Sequence, residues 1–283
     1  MSRPEFTAPS FEACYRHPDR STGIRCQRCG KPICGECMNP ASVGFQCPEC
    51  IRKGQTTVRS PRTAFGGALS TRGGIVTKVL VGVVVGVYVL NLISGGFVVN
   101  LLGMSNLLVA NGEFWRLVTY GFTSVGLLNT AMIALVLWFA GRPLEHYLGG
   151  WRFLVLYVLS GLGGATLLYV VGPPGVGGAG GAAAAVIGLL TANGVIKLRH
   201  GEDIRPDVGL LVILVLLNFV VGFGSLAWVA QIGGILVGGL TGVALVYAPR
   251  ARRSQVQIAA LIMIVAACVV AVAVKTMISY GVI

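Results

Sequence analysis

From residue 79 onward, long apolar runs alternate with short clusters of basic and small residues. Between Val208 and Tyr247 no charged residue interrupts the run. A helix rising 1.5 Å per residue needs about 20 apolar residues to cross a bilayer. The run is therefore predicted to fold as two spans that turn near Gly222, Phe223, Gly224 and Ser225. Five further spans are expected over Val79 to Val98, Gly126 to Ala140, Phe153 to Val171, Ala182 to Ile196 and Val256 to Val274. The fold class is an all-α polytopic membrane protein with seven transmembrane helices, preceded by a polar, cysteine-rich segment.

Charge sets the orientation, because Lys and Arg are retained on the cytoplasmic side of short loops. Twelve of the 22 basic residues precede the first span. Others follow in the second-to-third loop (Arg142, Arg152), the fourth-to-fifth (Lys197, Arg199, Arg205) and the sixth-to-seventh (Arg250, Arg252, Arg253). Only Arg116 and Lys275 break the alternation. The N-terminus is thus expected in the cytoplasm and the C-terminus outside. The same distribution accounts for the net charge of +12 without nucleic acid, which is not an expected partner. Arg52, Lys53, Arg59 and Arg62 are placed to meet anionic lipid headgroups.

Seven of the eight cysteines lie in the first 50 residues, in a compartment where disulfides are rare. They form the pairs Cys14-x2-His17, Cys26-x2-Cys29, Cys34-x2-Cys37 and Cys47-x2-Cys50. Two residues between donors let a tight turn present both to one ion, and thiolate with imidazole favours zinc. Eight ligands suit two structural zinc ions, with no coordination position left for a catalytic water. An iron–sulfur cluster is the weaker rival. By spacing alone, sequential and interleaved pairings can both close. The segment resembles the B-box type of zinc module, which implies Cys14, His17, Cys34 and Cys37 at one ion and Cys26, Cys29, Cys47 and Cys50 at the other. So few apolar residues cannot sustain a core, so metal binding and folding are expected to be one equilibrium. The expected domains are the zinc module over 1–52, a Gly/Ser/Thr/Pro/Arg-rich linker over 53–75 and a membrane domain over 76–283. A cleaved signal peptide is not expected ahead of such a module. Cys268, alone in the last span, reads as a packed small apolar residue.

Within the membrane domain, Trp115-Arg116, Gly141-x3-Glu145-x3-Gly149 followed by Trp151-Arg152-Phe153, and Gly233-Gly234-x3-Gly238-x3-Gly242 occur in that order. On these motifs, residues 79 to 250 resemble the rhomboid family of intramembrane serine proteases, implying a rhomboid-like bundle, a six-helix core plus one. Small residues every four positions also have a direct meaning, since they let helices approach closely in lipid. Ala184, Gly188 and Ala192 make such a face on the fourth span, and Gly234, Gly238 and Gly242 make one on the sixth. The two are expected to pack together, with Ala183 and Gln231 at similar depth.

The resemblance implies a serine on the fourth span and a histidine on the sixth that takes its proton. The matching stretches carry Ala183 and Gln231 instead, and the oxyanion positions on the second span carry Asn129 and Ile133. Of the other histidines, His17 is assigned to zinc, while His146 and His200 adjoin cytoplasmic loops, far from Ser124 or Ser225. The expected function is that of a pseudoprotease, which binds transmembrane client proteins without cleaving them while the zinc module engages a cytoplasmic partner or a neighbouring subunit. One alternative is an active rhomboid protease, and another is a small-solute transporter using Asn91, Asn129, Asn193, Asn218 and Gln231. Gly175-x-Gly177-x-x-Gly180 spells a dinucleotide fingerprint, but lacks the preceding strand and the following acidic residue. It reads as a flexible hairpin with Pro173 and Pro174. Glu145 is expected to pair with Arg142 or Arg152, or to cap helix ends.

This topology predicts that reporters fused at residue 5 and after Ile283 report opposite sides of the membrane. Both ends reporting the cytoplasm would defeat it.

Overall fold

The computed structural model describes residues 11–57, 74–221, 226–249 and 252–280. The chain forms two compact units, residues 1–61 and 62–283.

In the first unit two short hairpins, β1 (Glu12–Ala13) with β2 (Ser21–Thr22) and β3 (Asn39–Pro40) with β4 (Phe45–Gln46), precede helix α1 (Pro48–Thr57). Its core consists of Ile33 and cysteines. Residues 53–57, the first part of the expected linker, continue α1. Residues 58–73 lie outside the described residues.

The second unit begins with α2 (Ile75–Ile93). There follow α3 (Phe97–Leu102), β5 (Met104–Ser105), α4 (Asn106–Ala110) and α5 (Trp115–Thr119). Next come α6 (Leu127–Leu148), α7 (Gly150–Val171), β6 (Gly177–Gly178) and α8 (Gly181–His200), and then α9 (Arg205–Val221), α10 (Ala227–Tyr247) and α11 (Arg253–Tyr280). Among the described residues, α2, α6, α7, α8, α10 and α11 are the six helices long and apolar enough to cross a membrane. The seventh expected span corresponds to α9, whose 17 residues sit at the short end of the usual crossing range of about 17–25. The turn expected at Gly222 to Ser225 lies outside the described residues.

Several helices overrun their apolar windows because polar groups find partners inside. α6 was expected to stop at Ala140, yet it runs to Leu148. Glu145, 3% exposed, explains the extension. Its Oε1 accepts the Val76 amide at 3.1 Å, and its Oε2 accepts the amide and hydroxyl of Thr77, both at 2.8 Å. The carboxylate thus caps the N-terminus of α2, which has only Gly74 at its own cap. Of the expected roles, it is the capping one that appears. Gly149, at φ +84°, ends α6 and starts α7, a left-handed conformation that favours glycine.

The centre of the unit is α7, α8 and α10, packed backbone to backbone. A methyl group on Gly238 would lie 2.5 Å from the Cα of Gly188, and one on Gly242 would lie 2.9 Å from the Cα of Ala192. One on Gly234 would strike the Ala184 carbonyl. The two small-residue faces therefore meet in register. A methyl on Gly163 of α7 would meet the Gly233 carbonyl at 2.8 Å, a third close approach. α11 is tied on by Tyr169 Oη with Thr276 Oγ1 (2.7 Å), and by Gln257, which accepts from Arg152 Nε (3.0 Å) and donates to the Leu245 carbonyl (2.7 Å).

The segment between α2 and α6 is also folded. Arg116, 5% exposed, pairs with Glu113 at 2.6 Å and donates to the carbonyls of Asn100 (2.7 Å) and Gly103 (2.9 Å), which explains its exception to the charge alternation. The loop expected to be a flexible hairpin is instead anchored. Gly177 and Gly178 pair with Ser105 and Met104, and Asn106 Nδ2 donates to the carbonyls of Gly172 (3.2 Å) and Pro173 (3.0 Å).

Gly238→Ala should cost about 1–3 kcal/mol, the usual cost of overpacking. Gly194→Ala on α8, with open space around its Cα, should be neutral or stabilising by up to about 1 kcal/mol. Denaturant titration in mild detergent separates the two.

Candidate functional site

Among the described residues, two places bring chemistry-bearing groups together. In the first unit, Cys14, His17, Cys34 and Cys37 form one cluster and Cys26, Cys29, Cys47 and Cys50 the other, with the ligand atoms of each within 4.8 Å of one another. The pairing is interleaved, as the B-box resemblance implies, and either cluster could hold a metal ion. Zn–S and Zn–N bonds of about 2.3 and 2.1 Å in a tetrahedron space sulfurs about 3.8 Å apart and nitrogen about 3.6 Å from sulfur. The Sγ atoms of Cys29 and Cys47 are 3.7 Å apart, and His17 Nδ1 lies 3.3 Å from Cys34 Sγ and 3.5 Å from Cys37 Sγ. The donor set therefore fits an ion of that size.

Packed thiols cannot all ionise unaided. At Cys14 and Cys26 burial opposes the charge, but backbone N–H groups, led by those of Arg16 and Cys47, outweigh it and bring both thiols down to about 6. Burial and the neighbouring Cys14 and Cys34 push Cys37 up to about 11. Hydrogen bonding to Cys47, with burial, pushes Cys50 up to about 12. Each cluster thus holds at least one thiol that ionises readily beside at least one that resists, a conflict that a divalent cation removes.

The second place is where the first turns of α8 and α10 meet α6. Thr123 positions the start of α8: its carbonyl accepts the Ala182 amide at 3.0 Å and its Oγ1 accepts the Gly180 amide at 3.3 Å. Ala183 and Ile133 are buried here and line a cavity of about 220 Å³ with Asn129, Leu214 and Asn218. An adjoining cavity of about 320 Å³ shares Val125, Asn129 and Asn218 and is lined also by Tyr120 and Gln231. Gln231 is 2% exposed, and its Oε1 has no hydrogen-bond partner among the described residues.

A family model described as the rhomboid domain matches residues 111–248. The rhomboid protease GlpG of Salmonella typhi is 30% identical over 195 residues, covering 66% of this chain and 70% of that protein. The chain belongs to the rhomboid family. It is also 31% identical over 149 residues to the rhomboid protease GluP of Bacillus subtilis (strain 168), and 31% identical over 147 residues to RHOMBOID-like protein 5 of Arabidopsis thaliana. These alignments cover 52% and 50% of this chain but only 29% and 48% of those proteins. The rhomboid match leaves the cysteine-rich unit outside it.

The structure thus gathers Ala183, Ile133, Asn129 and Gln231 around adjoining cavities of a rhomboid bundle. It keeps His146 and His200 apart from them. His146 and His200 follow Asn129 and Ala183 by 17 residues along α6 and α8, about 26 Å at helical rise. His200 Nδ1 is 2.8 Å from the Ile196 carbonyl. Ser124 hydrogen-bonds Thr130 Oγ1 at 2.8 Å, and Ser225 lies outside the described residues. In the sequence Asn218 reads only as a transporter residue, whereas the structure sets it on this cavity. Its one signal was a carboxamide inside an apolar run.

The full chain should carry two metal ions, measured by elemental analysis. Cys29→Ser should retain about one, because three remaining donors bind far more weakly. One ion or none in the unmodified chain would reject the two-site reading.

Proposed function

We propose that this rhomboid-family membrane protein binds transmembrane segments of client proteins without cleaving them. The observation that carries the reading is the pair Ala183 and Gln231, buried at the start of α8 and α10. In the motif reading they occupy the places of the family's nucleophile and base. A methyl group cannot attack a carbonyl. A carboxamide cannot accept a proton near neutral pH, so even a serine beside it would stay a poor nucleophile. Asn129 can still donate to an oxyanion, whereas Ile133 cannot. What remains is a bundle with cavities at the first turns of α6, α8 and α10 and, in the places of the family's nucleophile and base, no group to open a peptide bond.

The N-terminal unit, on this reading, holds two structural zinc ions. Seven thiolates and one imidazole favour zinc over harder cations, and the module offers a surface for a cytoplasmic partner or a neighbouring subunit. The basic loops support an N-terminus in the cytoplasm and a C-terminus outside. An active protease is the second reading, favoured by relatives named as proteases. It would require a nucleophile other than residue 183.

The purified protein in lipid should leave a rhomboid model substrate intact and should not react with a serine-directed fluorophosphonate. Ala183→Ser combined with Gln231→His should restore slight cleavage, held down by Ile133, because one lost oxyanion donor costs about 100- to 1,000-fold. Cleavage by the unmodified chain, together with fluorophosphonate labelling of it, would overturn the reading.

A further inference from the structure

Three carboxamides on three helices border the adjoining cavities: Asn129 on α6, Asn218 on α9 and Gln231 on α10. Among the described residues, no charged side chain lines either cavity. Asn218 commits its Nδ2 to its own helix, at the Leu214 carbonyl 2.9 Å away. Gln231 is 2% exposed, and its Oε1 lacks a hydrogen-bond partner among the described residues. A buried carboxamide oxygen without a donor is costly in apolar surroundings, so this acceptor is best satisfied by whatever enters the cavity.

We propose that the site selects client transmembrane segments carrying an Asn or Gln side chain at the depth of Gln231. The inference rests on the client-binding reading and names the chemistry by which clients are chosen. A continuous transmembrane helix has every backbone group satisfied internally, so only a side chain can bring a spare donor. A charged donor finds no counter-charge among the described residues of the cavity walls. A hydroxyl offers a single proton. A carboxamide offers a donor and an acceptor together, the complement of Gln231 and of Asn129 and Asn218 beside it. Gln231 is the fifth residue of α10 and Asn129 the third of α6, so the partner group belongs about 3–6 Å inside the helix ends at that face.

The test uses the full chain in lipid nanodiscs and three labelled Leu/Ala transmembrane peptides: one without a polar residue, one with Asn about one turn inside the corresponding end, and one with Asn at the midplane. Energy transfer reports binding. The peptide with Asn one turn inside should bind about five- to thirtyfold more tightly than the apolar one, the range of an interhelical carboxamide bond, and the midplane peptide should not. Gln231→Leu should abolish that preference. Asn218→Leu, on α9, should reduce it and serves where Gln231→Leu does not fold. Equal binding of all three peptides to the unmodified chain overturns the carboxamide inference alone. So does a preference that survives both substitutions. Failure of every peptide to bind overturns client binding as well.

Discussion

Close backbone contact between α8 and α10 is the constraint on which the membrane unit depends. Lipid tails are as apolar as leucine, so helices there gain little from hiding hydrophobic surface and must gain from packing. The gain falls steeply with distance, because dispersion is lost within a fraction of an ångström. Gly188 against Gly238 and Ala192 against Gly242 achieve that proximity, and Gly163 against Gly233 extends it to α7. The other helices surround this three-helix centre and are fixed by polar ties, such as Glu145 at the start of α2 and Gln257 between α7 and α10.

The cavity geometry follows from that packing. Because the glycine contacts run in register along α8 and α10, the first turns of both helices are brought to one level. Thr123 and the β5–β6 pair hold the loop that leads into α8. α9, by contrast, buries only Leu214 among its described side chains, and its N-terminal end is fixed by Asp207 with Lys197 (2.6 Å) and Asn193 (2.9 Å). The cavities thus lie between a rigid centre and a lightly packed wall.

Much of this was legible in the sequence, and the reasons differ by element. Apolar length located the spans, and spacing by four located the faces of α8 and α10, because both are one-dimensional patterns. The four ligand pairs were legible for the same reason, whereas their interleaving required either the B-box resemblance or the folded chain. What the pattern hid were contacts between distant residues. The extension of α6 to Leu148 depends on Glu145 meeting Val76 and Thr77, some 70 positions earlier. Likewise the loop glycines read as flexible because their partners, Met104 and Ser105, lie elsewhere in the chain.

Fold and chemistry therefore make separate demands on this bundle. Backbone approach is met by Gly188, Gly234 and Gly238, where any side chain would force the helices apart. Ala183 and Gln231 face cavities, where a change of side chain alters what can happen without moving a helix. On the proposed reading, that separation is what lets a protease architecture outlive its reaction. Serine and histidine contribute to a transition state, while glycine contributes to the ground-state packing. Losing the first pair leaves a shaped, apolar recess with an unsatisfied carboxamide, and such a recess has a use only if something enters it.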